Sequence, residues 1–176
     1  MAATAWQAYI ARETMRESLR AYVASQGATW VRASFQESEP TPTHVISEVG
    51  ITFENSGSTP AFHLDTNVSY KFSPQPLPKD FNYPETPNNE ETGGPKGHGI
   101  MPPHSPNNFI IGLSPVEDLN ALMKEQTRLY VYGHVSYDDI FKDRHTSIFC
   151  FEHHLPENIF HLCAGHNDTY EGDYKP

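Results

Sequence analysis

The stretch Arg128–Cys163, RLYVYGHVSYDDIFKDRHTSIFCFEHHLPENIFHLC, decides the fold class. Leu129, Val131, Val135 and Tyr137 fall on one face with Gly133 among them, while Tyr130, Tyr132, His134 and Ser136 fall on the other. That alternation has the period of two expected of a sheet strand. The polar segment Asp138–Arg144 supplies a tight turn into a second strand, and a short third strand carries Cys163 back towards Cys150.

These two cysteines are the only ones in the chain. Their spacing suits a bridge between a strand and the segment after it, and closing so short a loop stabilises a fold by roughly 3 kcal/mol in the chain-entropy view. A pair of buried free thiols is the alternative. A bridge implies an oxidising compartment.

Upstream, the same period recurs. Val45, Val49, Ile51 and Phe53 alternate with His44, Glu48, Thr52 and Glu54, and Phe62, Leu64, Val68, Tyr70 and Phe72 alternate with His63, Asp65, Asn67, Ser69 and Lys71. Such runs belong to antiparallel strands wetted on one side. The link Asn55–Pro60 (NSGSTP) makes them a hairpin or a sharp crossover. Ala21–Val23 and Thr29–Phe35 are also β-prone, with Gly27 at a bulge or turn. Glu37–Thr43 (ESEPTPT) reads as a loop because its prolines deny ladder hydrogen bonds.

Two helices are expected. Ala2–Leu19 is rich in Ala, Arg and Glu, with opposite charges at helical spacing. Its apolar edge, Trp6, Ile10 and Tyr9, is too narrow for burial, so the segment projects from the domain. Ser114-Pro115-Val116-Glu117 has the form of a capping box and starts a helix to about Gln126, with Leu119, Leu122 and Met123 inward. It follows the short buried strand Phe109–Leu113. Residues 73–108, dense in proline and glycine, read as one long loop that is mobile or forms a binding loop.

At 176 residues the chain accommodates one domain with a real core. The expected division is a helix over 1–19 and a β-sandwich over 20–176. A net charge of −10 with scattered Lys and Arg argues against a nucleic-acid surface. The chain contains no apolar run long enough to span a bilayer, and Met1–Ile10 lacks the basic start and apolar core of a signal peptide.

Several short motifs occur in a fixed order: Arg20-Ala21-Tyr22-Val23, Asn55-Ser56-Gly57-Ser58-Thr59-Pro60-Ala61, Tyr130-Val131-Tyr132-Gly133, Tyr137-Asp138-Asp139-Ile140-Phe141, His145-Thr146, Phe149-Cys150-Phe151 and His166-Asn167. In this the chain resembles a family of uncharacterised bacterial proteins that begin with a membrane-spanning helix and end in a soluble β-domain. The resemblance implies a periplasmic or extracellular domain tethered by a helix upstream of this chain, and it implies no catalytic residues. The family often has glycine after the turn phenylalanine, where this chain has Lys142. The Asn-x-Gly-x-Thr-Pro-Ala step also resembles turns in immunoglobulin-like sandwiches.

Candidate chemistry is sparse. Histidine is abundant, with ten in all. His134 and His145, on paired strands, are expected to approach each other and with Asp138 (or Asp139) to form a divalent-metal set of imidazole and carboxylate ligands. Against that, no HExxH or paired CxxC spacing is present, and solvated or hydrogen-bonded histidines are the plainer reading. A G-x-S-x-G elbow is absent, Gly93, Gly94, Gly97 and Gly99 lack the context of a phosphate loop, and adjacent carboxylates on a strand point to opposite faces. Tyr130 and Tyr132 with His134, joined by Tyr22 and Trp30, make either an aromatic binding face or ordinary packing beneath a helix.

The expectation is a mainly β, antiparallel immunoglobulin-like sandwich of six or seven strands with an N-terminal and a short internal helix. Its function is a non-catalytic binding or sensing module needing no cofactor, with a protein or small-molecule ligand. The alternatives are a metal-dependent hydrolase on the C-terminal histidines and a subunit that self-associates through sheet edges or the projecting helix.

Overall fold

A computed structural model describes residues 2–32, 47–78, 81, 99–113, 116–154 and 159–173. Within them the chain forms α1 (Ala2–Ser18), β1 (Val23–Arg32), β2 (Ser47–Asn55), β3 (Phe62–Ser73), β4 (Pro106–Leu113), α2 (Val116–Met123), β5 (Arg128–Asp138), β6 (Arg144–His154), β7 (Ile159–Leu162) and β8 (Asp168–Glu171). The strands make two antiparallel sheets, β1-β2-β4 and β3-β5-β6-β7, with β8 also paired to β6. The fold is a β-sandwich.

The alternating side chains place the core between the sheets. Val49, Ile51 and Phe53 of β2 face Leu129, Val131, Val135 and Tyr137 of β5, with Phe149 and Phe151 of β6 beside them. Phe53 meets the Phe149 ring edge to face at 5.2 Å, which ties the layers through one aromatic contact. Because β2 lies in one sheet and β3 in the other, the Asn55–Pro60 link is a crossover between layers and not a hairpin.

At Gly133 the backbone of β3 packs tightly against β5. A Cβ there would lie 1.9 Å from the Asn67 carbonyl oxygen, so only glycine fits. The bulge expected at Gly27 is present as a register shift between Ser25 and Gly27. Residues 73–108 are not one loop: β3 runs to Ser73, β4 starts at Pro106, and Met101 is buried and bridged to Ala61. Glu37–Thr43 and the Ser114-Pro115 start of the capping box lie outside the described residues. In α2, Leu119 and Leu122 are buried as expected.

α1 does project. Every residue from Thr4 to Arg12 is exposed, and groups near the end of the helix make its contacts with the sandwich at Asp143 and Tyr22. No described helix is long and apolar enough to cross a membrane.

Candidate functional site

The junction between α1 and β1 is built by Asn55 at the end of β2. Its side chain is fully buried. The Oδ1 atom accepts the N–H groups of Tyr22 and Gly57 at 3.1 and 3.0 Å, and Nδ2 donates to the Thr59 and Met101 carbonyls at 2.8 and 3.1 Å. The buried amide is thus met on both its oxygen and its nitrogen by backbone of the incoming chain, the crossover and Met101. Gly57 then allows the crossover to touch the incoming chain, because a Cβ would sit 2.3 Å from the Arg20 carbonyl oxygen. Thr59 completes the tie by donating its hydroxyl to the Leu19 carbonyl at 2.5 Å, where the helix ends. Tyr137 works from the other sheet: its hydroxyl accepts from Val23 N–H and donates to the Ala21 carbonyl, both at 3.2 Å.

Beside this junction lies the β5–β6 turn, organised by Asp139. Its Oδ1 accepts from the N–H groups of Phe141 and Asp143 at 2.8 and 3.0 Å, while its backbone N–H donates to the Asp143 carbonyl. Lys142 takes φ of 67°, a conformation that glycine adopts freely and lysine adopts at a cost. The buried His145 ring bridges the turn to Arg20. Nε2 lies 3.1 Å from Asp139 Oδ2 and 3.2 Å from Arg20 Nε; a carboxylate only accepts and a guanidinium only donates, so this one atom serves one of the two partners at a time. The Nδ1 atom lies 2.8 Å from Arg20 Nη2, which can only donate.

The same Arg20 nitrogen donates to Glu171 at 2.6 Å. That hydrogen bond and the guanidinium charge hold the Glu171 carboxyl below its ordinary range. Arg16 pairs with Asp143 and lies over the Phe141 ring at 5.0 Å. Between α1, the turn and β8 opens a cleft of about 520 Å³, with Arg16, Arg20, Lys142 and Arg144 set against Glu13, Glu17, Asp143 and Glu171 in its lining. Charges of both signs alternate there and are spent mainly on one another.

The residues singled out from sequence do not meet. His134 lies opposite Ile148, and His145 opposite Tyr137, so the two imidazoles belong to opposite faces of the sheet. Asp138, on the face of His134, is occupied by His63 Nδ1 at 2.8 Å and Arg144 Nη1 at 3.1 Å. The expected set of His134, His145 and Asp138 therefore cannot hold one ion, and no metal-ligating cluster occurs among the described residues.

Tyr130 and Tyr132 are 1% and 2% exposed, so they form no open binding face. Their cover is not a helix. Leu77, Phe81 and the Cys150–Cys163 disulfide build a second small core on the outer side of β5, with Phe81 edge-on to Tyr132 at 5.2 Å. His134, on that same face, is likewise buried. Burial, and then its hydrogen bond to Glu152, pushes the Tyr130 phenol up to about 12. Asn167 seals the disulfide loop, accepting from Cys150 N–H and donating to the Cys163 carbonyl, each at 3.0 Å. Of the other two aromatics, Tyr22 is exposed at the junction, and Trp30 donates to His153 Nε2 at 3.0 Å.

No protein-family model, curated protein or solved structure matches the chain. What the short motifs share is their place in the fold. Arg20–Val23, Asn55–Ala61, Tyr137–Phe141 and His145 converge on the root of α1, while Phe149–Phe151 and His166-Asn167 converge on the disulfide. Asn55, Arg20 and Asp139 carry the junction; Asn55 and Arg20 were not site candidates from sequence, and Asp139 was one only as an alternative metal ligand to Asp138. A polar residue ending an apolar strand just before a Gly–Thr–Pro turn was the available signal for Asn55.

Proposed function

We propose that this chain is a non-catalytic binding or sensing module on the extracytoplasmic face of a bacterial membrane, with an immunoglobulin-like sandwich as its body and α1 as the side facing its tether. The observation that carries this reading is the axial polarity of α1. From Ala2 to Ala11 it holds no charged residue, and Arg12, Glu13, Arg16 and Glu17 crowd the remainder. Trp6 and Tyr9 stack at 5.9 Å on the uncharged half, with Trp6 64% exposed. A helix that docks sideways on a partner carries an apolar stripe along its length. A division along the axis, with Trp and Tyr before the charges, suits a helix leaving a membrane interface.

Two further features support the reading. The Cys150–Cys163 bridge fits an oxidising compartment. The strand order, first-second-fourth in one sheet and third-fifth-sixth in the other, corresponds to the A-B-E and C-F-G sheets of immunoglobulin domains. The histidine-carboxylate contact at Asp139 and His145 is consumed by the turn and by Arg20, which favours binding over catalysis. Fractionation of host cells, with thiols trapped at lysis, tests the proposal. The protein should stay in the membrane fraction after a carbonate wash, with both cysteines unreactive until reduced. Recovery in the cytosol with two reactive thiols would refute it.

A further inference from the structure

We propose that α1 is a lever held by an electrostatic latch, so that ionic strength sets how firmly the helix is fixed to the sandwich. This holds whether or not α1 leads to a tether. The first observation is the kind of contact involved. A helix that packs buries an apolar face, yet Trp6, Tyr9, Ile10 and Met15 are all exposed. Among the described residues, the ion pair that joins α1 to the body is Arg16 to Asp143, with Arg16 over Phe141; Arg20 to Glu171 lies past the helix, within the body. Tyr22 adds one exposed hydrogen bond to the Glu17 carbonyl at 3.3 Å.

The second observation is where the fixed chain begins. From Leu19 onward the backbone is tied into the sandwich by Thr59, Asn55 and Tyr137, with the last two buried. The boundary between the uncharged tie and the charged one therefore falls at Ser18–Leu19, and this is the pivot. The third is room to move: the cleft of about 520 Å³ lies directly between the helix and the β5–β6 turn. Glu13 and Glu17 on the helix and Lys142 on the body also line the cleft and offer alternative partners for a displaced helix. Exposed pairs of this kind are weak one at a time and are screened within about 8 Å at physiological salt. Hydrophobic packing of a helix would resist salt.

Residual dipolar couplings of backbone N–H groups in a stretched polyacrylamide gel test the idea on the full chain. At about 20 mM NaCl, α1 and the sandwich should fit one alignment tensor. At about 500 mM NaCl the couplings of residues 2–18 should shrink at least about twofold while those of the sandwich stay the same, with helical Cα shifts retained. The variant Asp143→Ala leaves every α1 side chain intact and should show the same shrinkage at low salt. Couplings in α1 indifferent to both salt and Asp143→Ala would overturn the latch. So would loss of the helical shifts in place of reorientation.

Discussion

The side-chain oxygen of Asn55 accepts the backbone N–H of Tyr22 at 3.1 Å, joining the end of one strand to the entry of another across 33 residues of sequence. Four backbone groups bond to that amide, and the Met101 carbonyl among them also accepts the Ala61 N–H at 3.0 Å. Asn55→Ala should therefore cost about 3 kcal/mol, since each buried group left unpaired costs roughly 1–3 kcal/mol. Asn55→Asp should lose about as much, because it turns a carboxylate oxygen towards the Thr59 and Met101 carbonyls. Urea unfolding measures both. Asn108→Ala, which removes one exposed bond to Thr52, is the control and should stay within about 0.5 kcal/mol.

Gly133 offers a sharper steric test. The Asn67 carbonyl occupies the space of its missing side chain. Gly133→Ala should destabilise by at least about 2 kcal/mol through forced separation of β3 and β5. Gly112→Ala, where a Cβ would meet nothing within 4 Å, should be tolerated. A guanidinium midpoint for Gly133→Ala equal to that of the parent would contradict the observed strand approach.

At the turn, the opposite sign is expected. Lys142 holds φ of 67° without the freedom of glycine. Lys142→Gly should stabilise by about 0.5–1 kcal/mol, the cost of a left-handed L-residue less the added entropy of glycine in the unfolded chain. Lys142→Val should destabilise. Thermal unfolding of the two variants against the parent gives the order directly.

The pH dependence follows from Asp138. Burial pushes its carboxyl up, but hydrogen bonds from His63 and Arg144, with their charges, outweigh that and hold it below its ordinary range. A carboxyl depressed on folding stabilises fully above its unfolded pKa, and that contribution disappears as pH falls through the folded value. Stability of the parent should thus fall more steeply than that of Asp138→Asn between about pH 5 and pH 2. Parallel curves from denaturant titrations at each pH would show that the ion pair has no energetic role.

Much of the architecture was legible in the residues themselves. Alternation along β2, β3 and β5 set which side chains face the core, because a strand reverses its side chains at every step. The exposed start of α1 followed from an apolar edge too thin to bury, and the pairing of Cys150 with Cys163 from their spacing across a short strand. Those are local properties, and local sequence encodes them. Tertiary structure alone decided that β2 and β3 belong to different sheets, that His134 and His145 point apart, and that Tyr130 and Tyr132 lie under Phe81 and a disulfide. It also decided that Arg20, Asn55, Asp139 and His145 assemble around the foot of one helix. Period-two patterning assigns each residue a face, but it does not say which segment arrives to cover that face; that depends on how the two layers are connected in space.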